Sequence, residues 1–344
     1  MQLEKSPKTK IIINETEYLY LSGTSYLGIS NLPQFHEIIF KNIKKWGSSF
    51  GSSRNANIKL AVYEKAEKFL TKFLQTEKCV SVSSGTLAGL LTLSTLEKIV
   101  DSFFYMPKTH PAILPKKANP VFNNGNLNQL LLNSKKETIC IVVDAIAGLE
   151  TKPFNFDFLK QISEEKKVFL LVDESHSLGV LGEKGSGVSS EIKVNKNIEI
   201  IKVSSLTKAF GVNGGIVAGS KKIINLIIEN SLFVGSAPMN PAFLESFLSV
   251  QDLYEIQRKK LQKNCEYVFH QIKALKKVRI SKNYPVFFVD DENIAEFLLT
   301  KKVVITSFFY PTISNKKINR IVINANHTKE SLDYLCNCLL SYYK

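Results

Sequence analysis

Residues 168–177 read Val-Phe-Leu-Leu-Val-Asp-Glu-Ser-His-Ser. Five apolar residues with no polar alternation predict a strand buried on both faces, as in a parallel sheet covered by helices. Asp173 then falls at the carboxyl end of that strand, the edge where such sheets bind ligands. A carboxylate buried there needs a cationic partner, and a protonated ring nitrogen supplies one. His176, three residues on, can reach the same ring. Taken alone, the segment reads as well as a helix-capping aspartate followed by an ordinary loop histidine.

The next strand-and-turn unit changes that balance. An apolar run at 198–203 leads into Ser204-Ser205-Leu206-Thr207-Lys208-Ala209-Phe210, with Gly214-Gly215 beyond. A lysine beside a cationic ring and a dry wall is a nucleophilic amine that can bond to a carbonyl. Hydroxyls just before it can hold a phosphate, and paired glycines permit a tight return of the chain. A third segment, Ser83-Ser84-Gly85-Thr86-Leu87-Ala88-Gly89, lies between a strand and a helix, whose first amides bind phosphate. A carboxylate for a pyridine nitrogen, an amine for an aldehyde and a phosphate cradle together point to pyridoxal 5'-phosphate (PLP).

Outward from these segments, short apolar strands at 79–82, 103–106 and 139–143 alternate with helices from about 86 and over 158–165. A helix after Asn57 is expected to bury Val62, Ala66, Phe69 and Phe73. Residues 11–13 and 18–21 predict a hairpin around Asn14-Glu15. A helical stretch over 241–276 precedes strands at 286–289 and 321–324 and a last helix capped by Thr328. The expected organisation is an N-terminal segment 1–45, a large mostly parallel α/β domain 46–245, and a long connecting helix with a smaller α+β domain at 246–344.

Composition narrows the classes. The 45 basic and 31 acidic residues give a formal net charge of +14, but the lysines occur as scattered pairs such as Lys116-Lys117 and Lys316-Lys317. No nucleic-acid-binding motif accompanies them, so no nucleic-acid partner is expected. The five cysteines form no paired framework, the amino-terminal residues lack an apolar signal core, and no apolar run is long enough to span a bilayer. A cytoplasmic protein with no metal site is expected; Cys336 and Cys338 would face different sides of a helix.

The three ligand segments, in this order, resemble the α-oxoamine synthases. Asp173-Glu174-Ser175-His176-Ser177-Leu178-Gly179-Val180-Leu181-Gly182 is similar to the family's Asp-Glu-Ala-His-Ser-x-Gly-x-x-Gly motif, and Ser205 to Gly211 to its Thr/Ser-Leu-x-Lys-Ala-Phe-Gly motif. Tyr26-Leu27-Gly28-Ile29, Gly51-Ser52-Ser53-Arg54, Tyr310-Pro311-Thr312-Ile313 and Ala325-Asn326-His327-Thr328 match further family segments. The resemblance implies the fold type I PLP-dependent aminotransferase fold. It implies that Lys208 carries PLP, Asp173 pairs with the pyridine nitrogen, His176 contacts the ring hydroxyl and His110 stacks on the ring. Gly85, Thr86 and Ser205 would hold the phosphate, Ser236 would reach the phosphate of a second subunit in a homodimer with shared sites, and Arg320 and Thr312 would bind substrate. Departures are Thr24-Ser25 for Asn-Asp, Pro111-Ala112 for Ala-Ser, Gly148 for a cofactor-side serine, and Ile318 for the first arginine of Arg-x-Arg.

The activity implied is a decarboxylating condensation of a small amino acid with an acyl-CoA or acyl-carrier thioester. Transamination or aldol cleavage on the same cofactor is the alternative, and a non-catalytic partner subunit a further one. The retained Lys208, Asp173 and His176 speak against the last.

Overall fold

A computed structural model describes residues 2–309 and 316–344. The chain forms two compact units, one of residues 33–148 and 153–251, the other of residues 1–32, 149–152 and 252–344.

The first unit is built on a seven-stranded sheet. Its strands run in the order Lys78–Val82, Gly215–Gly219, Ile198–Ser205, Lys167–Asp173, Thr138–Asp144, Ser102–Tyr105 and Asn119–Pro120. Gly215–Gly219 is antiparallel to both neighbours, and the other pairings are parallel. The alternation of side chains along each strand shows why the apolar runs are continuous. Val168, Leu170 and Val172 enter one core with Ile139, Ile141 and Val143. Phe169 and Leu171 enter the opposite core with Cys140, Val142, Ile201 and Val203. Both faces are thus buried, and neither can carry polar residues without hydrogen-bond partners. Helices Gly85–Leu96 and Lys221–Glu229 supply Ala88, Leu91, Ile223 and Ile227 to the second core.

Two helical expectations change. The stretch at 158–165 is only a 3₁₀ turn, Asp157–Gln161. The reason lies at Lys166, whose buried ammonium is held by Asn133 Oδ1, the Lys135 carbonyl and Glu137, so the chain turns directly into the next strand. The stretch over 241–276 is two helices, Pro241–Ser249 and Gln251–Ile272, interrupted at Val250. In the helix Ala61–Phe73, the buried face is Val62, Tyr63, Ala66 and Leu70; Phe69 and Phe73 stack on each other at its margin.

The second unit contains a six-stranded sheet, in the order Lys10–Ile13, Thr16–Leu21, Val303–Phe309, Lys317–Val322, Val286–Val289 and Val278–Arg279. The expected hairpin is present, with Asn14 and Glu15 both at positive φ as its two-residue turn requires. Its second strand runs parallel to Val303–Phe309. Residues 1–32 therefore cluster with the carboxyl-terminal residues, where a separate segment 1–45 was expected. The strand expected at 321–324 runs from Lys317 to Val322 and stops short because the chain then enters a joint. There Asn324 Nδ2 donates to the Ser25 carbonyl, Asn326 Nδ2 donates to the Gly28 carbonyl at 3.0 Å, and Gln257 Nε2 donates to the Leu27 carbonyl at 2.8 Å. A side chain on Gly28, which has φ 61°, would collide with Asn324 and Asn326. The early Tyr-Leu-Gly and late Ala-Asn-His motifs are two halves of one contact. Thr328 caps Lys329–Tyr342 as expected, accepting from the Ser331 N–H.

Candidate active site

Four strand ends and one helix start build the site in the first unit. Asp173 ends its strand and is almost fully buried. Its Cα stands opposite Val203 on one side and Asp144 on the other. Asp173 Oδ1 accepts from the Ser175 N–H at 2.9 Å, which fixes the carboxylate against the turn that follows. Ser175 Oγ in turn accepts from the Ser205 N–H at 2.8 Å and ties the Asp173 turn to the next strand end.

Glu174 explains the rest of that motif. Its buried carboxylate accepts from the Ser177 hydroxyl, the Val188 N–H at 3.1 Å and the Ser189 N–H at 2.6 Å. A Cβ on Gly187, at φ 87°, would strike this carboxylate. The loop is thereby closed around a buried anion, and His176 projects from it. His176 Nε2 lies 3.2 Å from Lys208 Nζ. Lys208 sits half-exposed in the single helical turn Thr207–Phe210, ended by Gly211 at φ 67°.

The segments expected to hold a phosphate also meet. Gly85 lies against Ser205 so closely that a Cβ on it would be 2.7 Å from Ser205 Cβ and 2.9 Å from the Ser205 nitrogen. Ser84 caps the helix, accepting from the Leu87 N–H at 3.1 Å. The amides of Gly85 and Thr86 belong to the first turn and have no carbonyl behind them in the helix. They and the Ser205 side chain share one corner of the sheet edge.

His110 is exposed; its N–H donates to Asp144 Oδ2 at 2.7 Å and its Nδ1 accepts from the Ala112 N–H at 3.1 Å. Asp144 was not singled out in the sequence. The signal was there: Val142-Val143-Asp144 repeats the pattern of Leu171-Val172-Asp173 one strand earlier. Burial, and next the neighbouring Asp173, push the Asp144 carboxyl above the usual carboxylate range; the His110 N–H and Lys208 pull it back.

Ser236, Gly148 and Arg320 lie on other segments of the chain. The Ser236 hydroxyl donates to the Phe233 carbonyl of its own turn at 3.4 Å. Gly148, where the family carries serine, has open space where a Cβ would be. Arg320 belongs to the second unit, on strand Lys317–Val322. Its Nε is buried and without a hydrogen-bond partner among the described residues. The Arg320 guanidinium acts electrostatically on the buried phenols of Tyr26 and Tyr284. Burial pushes Tyr26 up to about 12 despite that cation. Thr312 lies outside the described residues.

The donor set suits PLP: the buried Asp173 carboxylate for a cationic ring nitrogen, an amine for an aldehyde, and an amide-and-hydroxyl corner for a phosphate. Comparison with known proteins agrees. The chain belongs to the family Aminotransferase class I and II, whose profile matches residues 126–339. Within it the chain is an α-oxoamine synthase, a PLP-dependent enzyme. It is similar to 8-amino-7-oxononanoate synthase of Petrotoga mobilis, 27% identical over 96% of this chain and 90% of that protein. It is similar to 8-amino-7-oxononanoate synthase 1 of Bacillus subtilis, 26% identical over 96% and 90% of the two chains. Its fold matches serine palmitoyltransferase of Sphingomonas wittichii at a TM-score of 0.85, with 20% identity, covering 99% and 91%. It also matches 8-amino-7-oxononanoate synthase of Francisella tularensis at 0.71, with 24% identity, covering 95% and 99%. The large mostly parallel sheet expected from the apolar runs is the sheet of this fold. No helix among the described residues is long and apolar enough to cross a membrane.

Proposed function

We propose that this enzyme condenses a small amino acid, such as alanine or glycine, with an acyl thioester. The products are an α-amino ketone, carbon dioxide and free thiol, so the role is that of an 8-amino-7-oxononanoate synthase in biotin synthesis. Bound PLP supplies an electron sink for the bond changes at the amino acid's α-carbon. Asp173 keeps the ring nitrogen protonated. Lys208 carries the cofactor and, when released, serves as the amine that moves a proton at the α-carbon. His176 orients Lys208 and meets the ring hydroxyl, and His110 covers the ring. Gly85, Thr86 and Ser205 hold the phosphate. Arg320 takes the amino-acid carboxylate through two parallel N–H bonds, and Thr312 assists it. The observation carrying this reading is the 3.2 Å contact of Lys208 with His176, on the loop that Asp173 begins.

The working form is a cytoplasmic homodimer in which Ser236 of each chain serves the other's phosphate. The helix Gly85–Leu96 supports this: it is apolar on nearly every side, yet Leu90 is 48% exposed. Leu232, beside the Ser236 turn, is 44% exposed. Apolar surface of this kind is suited to a partner.

The deciding experiment incubates the purified, PLP-loaded enzyme with a panel of amino acids and acyl thioesters and reads products by mass spectrometry. An amino ketone with matching thiol release is expected. A keto acid from the amino acid, or an aldehyde from its side chain, would assign transamination or aldol cleavage instead.

A further inference from the structure

Strands Thr138–Asp144 and Lys167–Asp173 run parallel and in register, from Thr138 opposite Lys167 to Asp144 opposite Asp173. Both end in a buried carboxylate, 3% exposed at Asp144 and 8% at Asp173. Adjacent strands lie about 4.8 Å apart, so the two acids are neighbours. Two buried like charges at such spacing are not both held at full charge without compensation. Their hydrogen bonds divide the work. Asp173 is braced by the turn after its own strand, through the Ser175 N–H. Asp144 reaches outward to another segment and accepts the His110 N–H.

That N–H is the entry point of a short, tightly tied loop. The Thr109 hydroxyl donates to the Met106 carbonyl at 2.7 Å, just upstream. Downstream, His110 opens the 3₁₀ turn Pro111–Ile113 and caps it with Nδ1. The ring torsion of His110 is thus set by Ala112, and its main-chain position by Asp144. The residue is otherwise exposed.

We propose that Asp144 is the positioning residue of His110, placing the imidazole where it covers the cofactor ring and acting through it, not as a second independent acid. This rests on the reading that His110 faces the PLP ring. Asp144 also feels Asp173 and Lys208, so removing its charge has an electrostatic arm as well; the test separates the two. Asparagine keeps an acceptor oxygen for the His110 N–H and loses the charge. Alanine and serine lose the reach.

The test compares wild type, Asp144→Asn, Asp144→Ala, Asp144→Ser, His110→Ala and the double Asp144→Ala/His110→Ala variant. The readouts are PLP affinity, visible-region circular dichroism of bound PLP, and kcat against KM for the amino acid. Asp144→Ala is expected to lower kcat about tenfold to a hundredfold, the scale of a misplaced group near the chemistry, and to change the dichroic band as His110→Ala does. The double variant is expected to be no worse than His110→Ala, because two residues acting through one contact are not additive. Asp144→Asn is expected within about threefold of wild type, as its retained acceptor implies. Additive losses, or an Asp144→Asn variant as impaired as alanine, would overturn the proposal and assign the effect to charge. If Asp144→Ala does not fold, Asp144→Ser replaces it in the cycle. A wild-type band in the folded removal variants would equally defeat it. If His110→Ala alone leaves the band and affinity unchanged, the reading of His110 falls and the inference with it, while product formation by the wild type still upholds the proposed reaction.

Discussion

Lys208 Nζ and His176 Nε2 are 3.2 Å apart, although they come from different strand ends of the sheet. The contact exists because Ser175 and Ser205 are bonded across those ends, which locks the two turns together. It places an amine and an imidazole at one edge, beside two carboxylates.

Lys208→Ala is expected to abolish the covalent hold on PLP. Borohydride treatment followed by peptide mass spectrometry should find the cofactor on Lys208 in the wild type and on no lysine in the variant. Equal labelling in the variant would mean that another lysine does the work.

Asp173→Asn should still bind PLP, since phosphate and amine contacts remain. An amide does not hold a ring nitrogen protonated, so the electron sink weakens. Exchange of the amino acid's α-hydrogen in deuterated water, followed by NMR, should slow by about 10³-fold or more, the scale of other wrong-protonation variants. Exchange at the wild-type rate would remove Asp173 from its role.

Gly85→Ala puts a methyl group 2.7 Å from Ser205 Cβ and 2.9 Å from its backbone nitrogen. The corner must open, and phosphate binding should suffer most. PLP affinity is expected to fall about tenfold or more, an amount of free energy typical of one lost charge-assisted hydrogen bond. Affinity for pyridoxal, which lacks the phosphate, should change little; equal losses for both would place the damage elsewhere.

His327 should make stability fall in mild acid. It is buried, Nδ1 accepts from the Asn324 N–H at 2.9 Å, and Nε2 faces the Tyr20 carbonyl at 3.0 Å. Burial lowers its pKa from 6.5 to about 4. Below 6.5 the unfolded chain binds a proton that the folded chain refuses, so stability is lost as pH falls from 6.5 toward 4. The loss is on the order of 3 kcal/mol at full extent. Urea midpoints for wild type and His327→Gln across that range should converge at low pH; parallel curves would contradict this.

Shared sites predict complementation. A Lys208→Ala chain and a Ser236→Asp chain, each inactive alone, should regain part of the activity as a mixed dimer, because one site then combines an intact Lys208 with the other chain's Ser236. No recovery in verified heterodimers would refute the shared phosphate site, as would a fully active monomer.

The sequence determined the sheet, because strands buried on both faces must be continuously apolar. It also placed Asp173 at the end of one such run and Lys208 just beyond another, because a polar residue after a buried run lies at the sheet edge. It could not show that Asp144 belongs with them: register between strands is set by packing across the sheet, which a single strand does not encode. Nor did it show that Leu19, Tyr20 and Leu21 pair with Val303, Val304 and Ile305, or that Gly28 meets Asn324 and Asn326, since those partners are almost the full chain apart. The helix expected at 158–165 failed for a like reason. Its local pattern was helical, but a buried Lys166 took its partners from Asn133, Lys135 and Glu137, and tertiary hydrogen bonds outweighed the local preference.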